Sequence, residues 1–241
     1  MKKRTKIIIL VAVVLALLTA AFLLVWYLYV VPMRDDQERM RLVEEYRAAK
    51  RARYAEENAA LSPGEADVVF LGDSLTDGCP IETYYPNYKT LNRGIGGDRT
   101  YDLLSRMQVS VYDVKPKVAV VLIGGNNLTT MFDDYEEILK GLQGTIPDTK
   151  VILVSLTAMR GDHQGKNAIA ALNNVKIKAL ADKYGYRFVD IFSTLYDIEE
   201  GALYKKYAFD DVHLNADGYA AVTPLINAAI AEALAEWENK A

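Results

Sequence analysis

Ser74 stands two residues past a glycine that closes an apolar run, in the triplet Gly72-Asp73-Ser74. A serine at such a turn can open the following helix with its hydroxyl exposed and its own N–H unpaired. To attack an acyl carbon near neutral pH it needs a base, and the chain offers two histidines. His213 ends Asp210-Asp211-Val212-His213, where a carboxylate three residues earlier can orient the ring; His163 lies in the polar segment from Arg160 to Asn167, which reads as a solvated loop. His213 is therefore the better base. Acyl transfer also needs donors for a developing oxyanion, and the Gly96-Gly97 backbone and the Asn126 side chain are placed to converge on one. Each piece has a plainer reading when taken singly: a helix cap at Gly-Asp-Ser, and tight turns at Gly94-Ile95-Gly96-Gly97 and Asn126-Asn127.

The surrounding elements decide whether these groups can meet. Asp67 to Leu71, Lys117 to Ile123 and Lys150 to Leu156 are short apolar runs that end in polar or glycine residues, the pattern of buried parallel strands. Tyr186 to Ile191 and Thr90 to Asn92 are weaker candidates. Helical stretches fall between them at Arg99 to Tyr112, Asp133 to Thr145 and Asn167 to Tyr184, with a last helix expected near Thr223-Pro224. This alternation implies an α/β three-layer sandwich around a parallel sheet. Sites in such sheets form beyond the carboxyl ends of the strands, where Gly72 to Ser74, Arg93 to Asp98 and Gly124 to Asn127 all fall.

Composition narrows the function classes. The 241 residues are 51% apolar, but 24 of the 25 from Ile7 to Val31 are of that kind, so the rest is an ordinary globular composition. Without the four cations of the first six residues, 24 Lys and Arg face 32 Asp and Glu. An acidic body makes nucleic acid an unsuitable partner. A single cysteine, Cys79, excludes an internal disulfide, and with two histidines no metal centre or other cofactor is expected.

Residues 7–31 would reach roughly 38 Å as a helix, more than the ~30 Å hydrocarbon core of a bilayer. They read as an uncleaved anchor, preceded by a basic tail at 1–6 and held in the lipid bilayer. Lys2, Lys3, Arg4 and Lys6 crowd its leading edge, which favours a cytoplasmic N-terminus and an extracytoplasmic body. From Asp35 to about Leu61 the chain reads as a charged helix that would lift the body off the membrane, so that residues 32–64 form a stalk and 65–241 the catalytic domain.

The stretch from Val68 to His213 resembles the SGNH hydrolases, also called GDSL esterases and lipases. Four of that family's blocks occur in order, as GDSLTDG (72–78), NRGIGGD (92–98), IGGNN (123–127) and DDVHLN (210–215). The resemblance implies a flavodoxin-like sheet of five strands and a set of roles. Ser74 matches the nucleophile, His213 the general base and Asp210 the orienting acid, with Asp211 the second choice. The N–H groups of Ser74 and Gly97 and the amide of Asn126 match the oxyanion hole. One departure is Asn127, where the family usually has an aspartate in a supporting role, and activity is expected to be tuned rather than abolished.

Other readings carry less. An aspartyl phosphatase would need an acid where Leu75 stands, and Gly94-x-Gly96-Gly97 is a poor dinucleotide fingerprint. Tyr84, Tyr85, Tyr88 and Tyr101 are expected to pack between layers rather than stack on sugars. The expectation is a membrane-anchored serine esterase that removes short, acetyl-type acyl groups from an extracytoplasmic glycan or a small molecule. A lysophospholipase or thioesterase and an O-acyltransferase would use the same residues, and a silent ligand-binding module on a stalk is the alternative of another class.

Overall fold

The computed structural model describes residues 2–239. The chain divides into two compact units, Met1–Ala49 and Lys50–Ala241. The first holds helix α1 (Lys2–Val25), a π-helical turn (Trp26–Val30) and the opening of helix α2 (Val31–Ala59). Ile7, Leu10, Leu17, Phe22 and Leu24 are all exposed on α1, whose apolar residues occupy every face. With a mean hydropathy of 3.2 over its most apolar window, the segment is a candidate membrane span, a character that signal sequences share.

The second unit is built on five parallel strands, β1 (Val68–Gly72), β2 (Thr90–Gly94), β3 (Val118–Leu122), β4 (Lys150–Val154) and β5 (Arg187–Val189), in the order β2-β1-β3-β4-β5. Alternate residues serve opposite faces. Val69, Leu71, Ala119, Val121 and Leu153 pack under α5 (Thr100–Ser105), α6 (Phe132–Thr145) and α7 (Asn167–Tyr184). Val68, Phe70, Val118, Val120 and Ile152 pack under α4 (Ile81–Tyr84), α8 (Phe192–Leu195) and α9 (Ala216–Glu238). The result is the expected three-layer α/β sandwich. A short hairpin of β6 (Tyr196–Asp197) and β7 (Ala202–Leu203) follows α8. After β2 the chain crosses to the other side of β1, so the strand order reverses between β1 and β3 and opens a crevice at their carboxyl ends.

Two elements differ from the sequence expectation. The last helix starts at Ala216, not near Pro224, because the Asn215 side chain accepts a hydrogen bond from Gly218 N–H (2.9 Å) and caps it. Pro224 lies inside α9, and Thr223 Oγ1 donates to the Tyr219 carbonyl (2.8 Å) one turn back. The stretch expected as one helix from Arg99 to Tyr112 breaks at Arg106, which separates α5 from a π turn at Gln108–Tyr112. α9 is long and apolar enough to cross a membrane, yet Val222, Ile226, Ile230 and Ala233 are buried within this unit.

The second unit begins at Lys50, before the boundary expected at Glu65, because the last turns of α2 are part of its packing. Tyr54 is 2% exposed and its hydroxyl donates to the Gly94 carbonyl (2.5 Å). The buried Arg93 guanidinium lies 4.5 Å from the Tyr54 ring centre and donates to Glu57 and to Asn58 Oδ1.

Arg106 is buried for a related purpose. Its Nε donates to Asp98 Oδ2 (2.7 Å), and its terminal nitrogens donate to the carbonyls of Arg93 (2.9 Å) and Gly72 (3.0 Å) and to Ser110 Oγ (2.8 Å). Both charged side chains are 1% exposed. Removing one partner leaves an uncompensated buried charge, which costs about 3–5 kcal/mol. Arg106→Met is therefore expected to lower the unfolding free energy by about that amount in urea titrations, whereas exposed Lys140→Met should change it by less than about 1 kcal/mol.

Candidate active site

Ser74 opens α3 (Ser74–Asp77) directly after β1. The transition from strand to helix is abrupt because Gly72 lacks a side chain: a Cβ there would lie 2.2 Å from Thr76 Oγ1 and 2.4 Å from the Leu122 carbonyl. Asp73 caps the helix, accepting a hydrogen bond from Leu75 N–H (3.1 Å). This leaves the Ser74 N–H at the start of α3 and its hydroxyl in a cavity of about 170 Å³.

His213 reaches that cavity from the segment just before α9. Its Nε2 lies 2.9 Å from Ser74 Oγ, and its Nδ1 lies 2.7 Å from Asp210 Oδ2. Asp210 also accepts hydrogen bonds on Oδ1 from the N–H groups of Val212 (2.9 Å) and His213 (2.8 Å). Its partial burial alone would push the carboxyl up, but these N–H groups and the imidazole outweigh that and hold it at about 2. Asp211 faces elsewhere: its carboxylate accepts from Asp162 N–H (3.2 Å), away from the His213 ring. Between the two acids considered from the sequence, only Asp210 is hydrogen-bonded to His213.

The expected oxyanion donors come from the neighbouring loops. Gly97 sits in the turn Ile95–Asp98 with φ +79°, a conformation that favours glycine. Asn126 lines the cavity, and its Nδ2 donates one hydrogen to the Asp98 carbonyl (2.9 Å), which leaves the second amide hydrogen for a ligand. Asn127, the departure from the family pattern, links these loops. Its Oδ1 accepts from Thr100 N–H (3.3 Å) and its Nδ2 donates to Thr100 Oγ1 (2.9 Å). An amide can do both at once, whereas an ionised carboxylate only accepts.

Other singled-out residues find plain places. Cys79 lines an apolar internal pocket, and burial pushes its thiol up to about 12, which removes it as a nucleophile at neutral pH. Tyr85 packs on Phe70, Tyr84 donates to the Ala216 carbonyl (3.0 Å) and Tyr88 packs against the core, while Tyr101 is 47% exposed. His163, expected as a solvated loop residue, keeps a side chain 42% exposed. It lines the cavity beside Ser74, on a 3₁₀ turn (Gly161–Lys166) bonded to Asp211. Two contributors were missed, Arg106 and Lys166, the second a lining residue of the same cavity. For Arg106 the available signal was a charge flanked by Leu103, Leu104 and Met107, on what should be the inner face of a helix.

Residues 70–221 match the sequence model of the GDSL-like Lipase/Acylhydrolase family. The alpha2 subunit of the platelet-activating factor acetylhydrolase IB of Rattus norvegicus is 30% identical over 191 residues, which cover 71% of this chain and 79% of that protein. A GDSL-like lipase from Bacteroides thetaiotaomicron is similar in structure, with a TM-score of 0.67 at 28% identity over 76% of this chain and 98% of the other. A variant of an acetylxylan esterase from Geobacillus stearothermophilus shares the fold, with a TM-score of 0.57 at 18% identity over 70% and 95% of the two chains.

Asp73 gives this site a measurable electrostatic signature. Burial pushes its carboxyl up to about 6, and the Asp98 carboxylate adds to the effect. The fold thus favours protonated Asp73, a contribution fully present below the ordinary value of 3.8 and lost as pH rises through about 6. Asp73→Asn keeps a capping oxygen without the charge. Its stability relative to wild type should therefore improve between pH 4 and pH 7, by up to about 3 kcal/mol. Urea unfolding across that range checks this, and a pH-independent difference would mean that Asp73 titrates normally.

Proposed function

Because the chain belongs to the GDSL-like lipase/acylhydrolase family and is an ester hydrolase, we propose that Ser74, His213 and Asp210 carry the reaction and that its substrates are short-chain acyl esters. The observation that carries the reading is the relay from Asp210 Oδ2 through both ring nitrogens of His213 to Ser74 Oγ, at 2.7 and 2.9 Å.

Asp210 accepts a hydrogen bond from Nδ1–H, which holds the ring in the tautomer whose Nε2 is free to take a proton. Ser74 Oγ attacks the acyl carbon as its proton passes to His213 Nε2. The carbonyl oxygen becomes an oxyanion, stabilised by the N–H groups of Ser74 and Gly97 and by Asn126 Nδ2. Collapse breaks the bond to the alcohol, which leaves with the proton from His213. Water then attacks the acyl-serine, giving its proton to the same nitrogen, and the carboxylic acid departs as Ser74 regains its hydrogen. The cavity supports a small ester: about 170 Å³ lies below the ~300 Å³ at which pockets begin to enclose drug-sized ligands. The name of the acetylhydrolase relative points the same way.

In this reading the apolar N-terminal segment anchors the chain in a bilayer. Four cations in the first six residues favour an N-terminus on the cytoplasmic side. The body then works outside the cytoplasm on an acylated glycan or small ester.

Two measurements test these statements. A fluorophosphonate should add one mass equivalent at Ser74, and hydrolysis of a chromogenic acetyl ester should vanish in Ser74→Ala and fall about 10²- to 10³-fold in Asn126→Ala. Labelling that persists in Ser74→Ala would remove the nucleophile assignment. Protease added to intact cells should release a soluble fragment that retains the esterase activity; complete protection until the membrane is breached would reverse the orientation.

A further inference from the structure

The cavity that holds the relay has a second polar wall. In the 3₁₀ turn Gly161–Lys166, residues three apart eclipse, so His163 and Lys166 project from one side. Both line the cavity with Ser74, Asn126 and His213. Arg160 N–H and Asp162 N–H donate to the Asp211 carbonyl (2.8 Å) and carboxylate (3.2 Å) at the start of the turn. Near its end Gln164 Nε2 donates to the Glu200 carbonyl (2.7 Å), and buried Asn167 exchanges two hydrogen bonds with the Met159 backbone (2.8 Å each). Gly161, at φ +55°, lets the Asp211 carboxylate approach to 2.3 Å from where a Cβ would lie.

Charge is left over on this wall. His163 Nδ1 lies 3.8 Å from Asp211 Oδ2, beyond hydrogen-bond reach. Among the described residues no carboxylate lies within 4 Å of the Lys166 ammonium, although the body as a whole is acidic. The turn is fastened to Asp211, two residues from His213, the residue that hands a proton to the leaving alcohol in the proposed reaction, and it shares the cavity with that ring.

We propose that Lys166, with His163, binds an oxyanionic group on the alcohol part of the substrate, so that the preferred esters carry a carboxylate or phosphate near the scissile bond. The inference rests on the esterase reading for its orientation, but binding can be measured without turnover.

The full chain in non-ionic detergent, carrying Ser74→Ala, is titrated with three unreactive amide analogues: 3-acetamidobenzoate, 3-acetamidophenyl phosphate and neutral 3-acetamidobenzamide. At least one anion should bind about tenfold more tightly than the neutral compound. Adding Lys166→Met should erase the preference, Lys166→Arg should keep it and Lys166→Glu should invert it. A preference for benzoate alone would assign the site to carboxylates, and one for the phosphate alone to phosphates. Equal affinities in the Ser74→Ala protein, or a preference that survives Lys166→Met, would overturn the proposal. In parallel, wild type is assayed on 3-acetoxybenzoate and 3-acetoxybenzamide, whose kcat/KM ratio should fall about tenfold in Lys166→Met. If neither ester is hydrolysed while the binding preference holds, the esterase reading fails and the anion site stands.

Discussion

Arg106 carries a positive charge into the body, and four oxygen atoms answer it: the Asp98 carboxylate, the Ser110 hydroxyl and the carbonyls of Gly72 and Arg93. Those atoms belong to the end of β1, the end of β2, the turn that presents Gly97 and the π turn Gln108–Tyr112. A guanidinium offers its donors in a rigid fork, so these four hydrogen bonds fix the four segments relative to one another. The cost of desolvating the charge is offset only when each partner is in place. The same network constrains the candidate oxyanion loop, because Asn126 is hydrogen-bonded to the Asp98 carbonyl.

Around this anchor the sheet topology brings distant segments together. The reversal of strand order between β1 and β3 opens space at their carboxyl ends, and Ser74 and Asn126 occupy its two sides. His213 arrives from a point 139 residues further along the chain. Its position depends on how the start of α9 is fastened to α3 and α4: the Tyr219 hydroxyl donates to the Leu75 carbonyl (2.9 Å) and the Tyr84 hydroxyl to the Ala216 carbonyl (3.0 Å). The tyrosines here act through their hydroxyls and their apolar packing together.

The carboxylates near Ser74 show how environment separates groups of one chemical type. Asp210 is half-exposed and surrounded by donors, and its charge is favoured. Asp73 is buried, with the Leu75 N–H donating to its side chain and another carboxylate nearby, and its charge is disfavoured. Asp211 is absorbed by the turn that bears His163 and Lys166. These differences follow from solvation and hydrogen bonding, not from any property of aspartate itself.

Much of this was legible in the amino-acid sequence. Short apolar runs ending in glycine or polar residues located β1, β3 and β4 to within two residues, and α7 has the bounds expected of it, Asn167 to Tyr184. The four motif blocks named Ser74, Gly97, Asn126, Asp210 and His213 as a set. Such signals are local, since side-chain periodicity and turn chemistry act over a few consecutive residues. Pro224 looked like a helix start by the same local rule, but the cap supplied by Asn215 carried the helix through it. Only the tertiary structure decided that the body takes in the charged helix from Lys50, that Arg106 is buried, and that His163 and Lys166 share the cavity of His213. Each depends on contacts between segments far apart in the chain, where desolvation and hydrogen-bond partners set the energy and adjacent residue types say little about either.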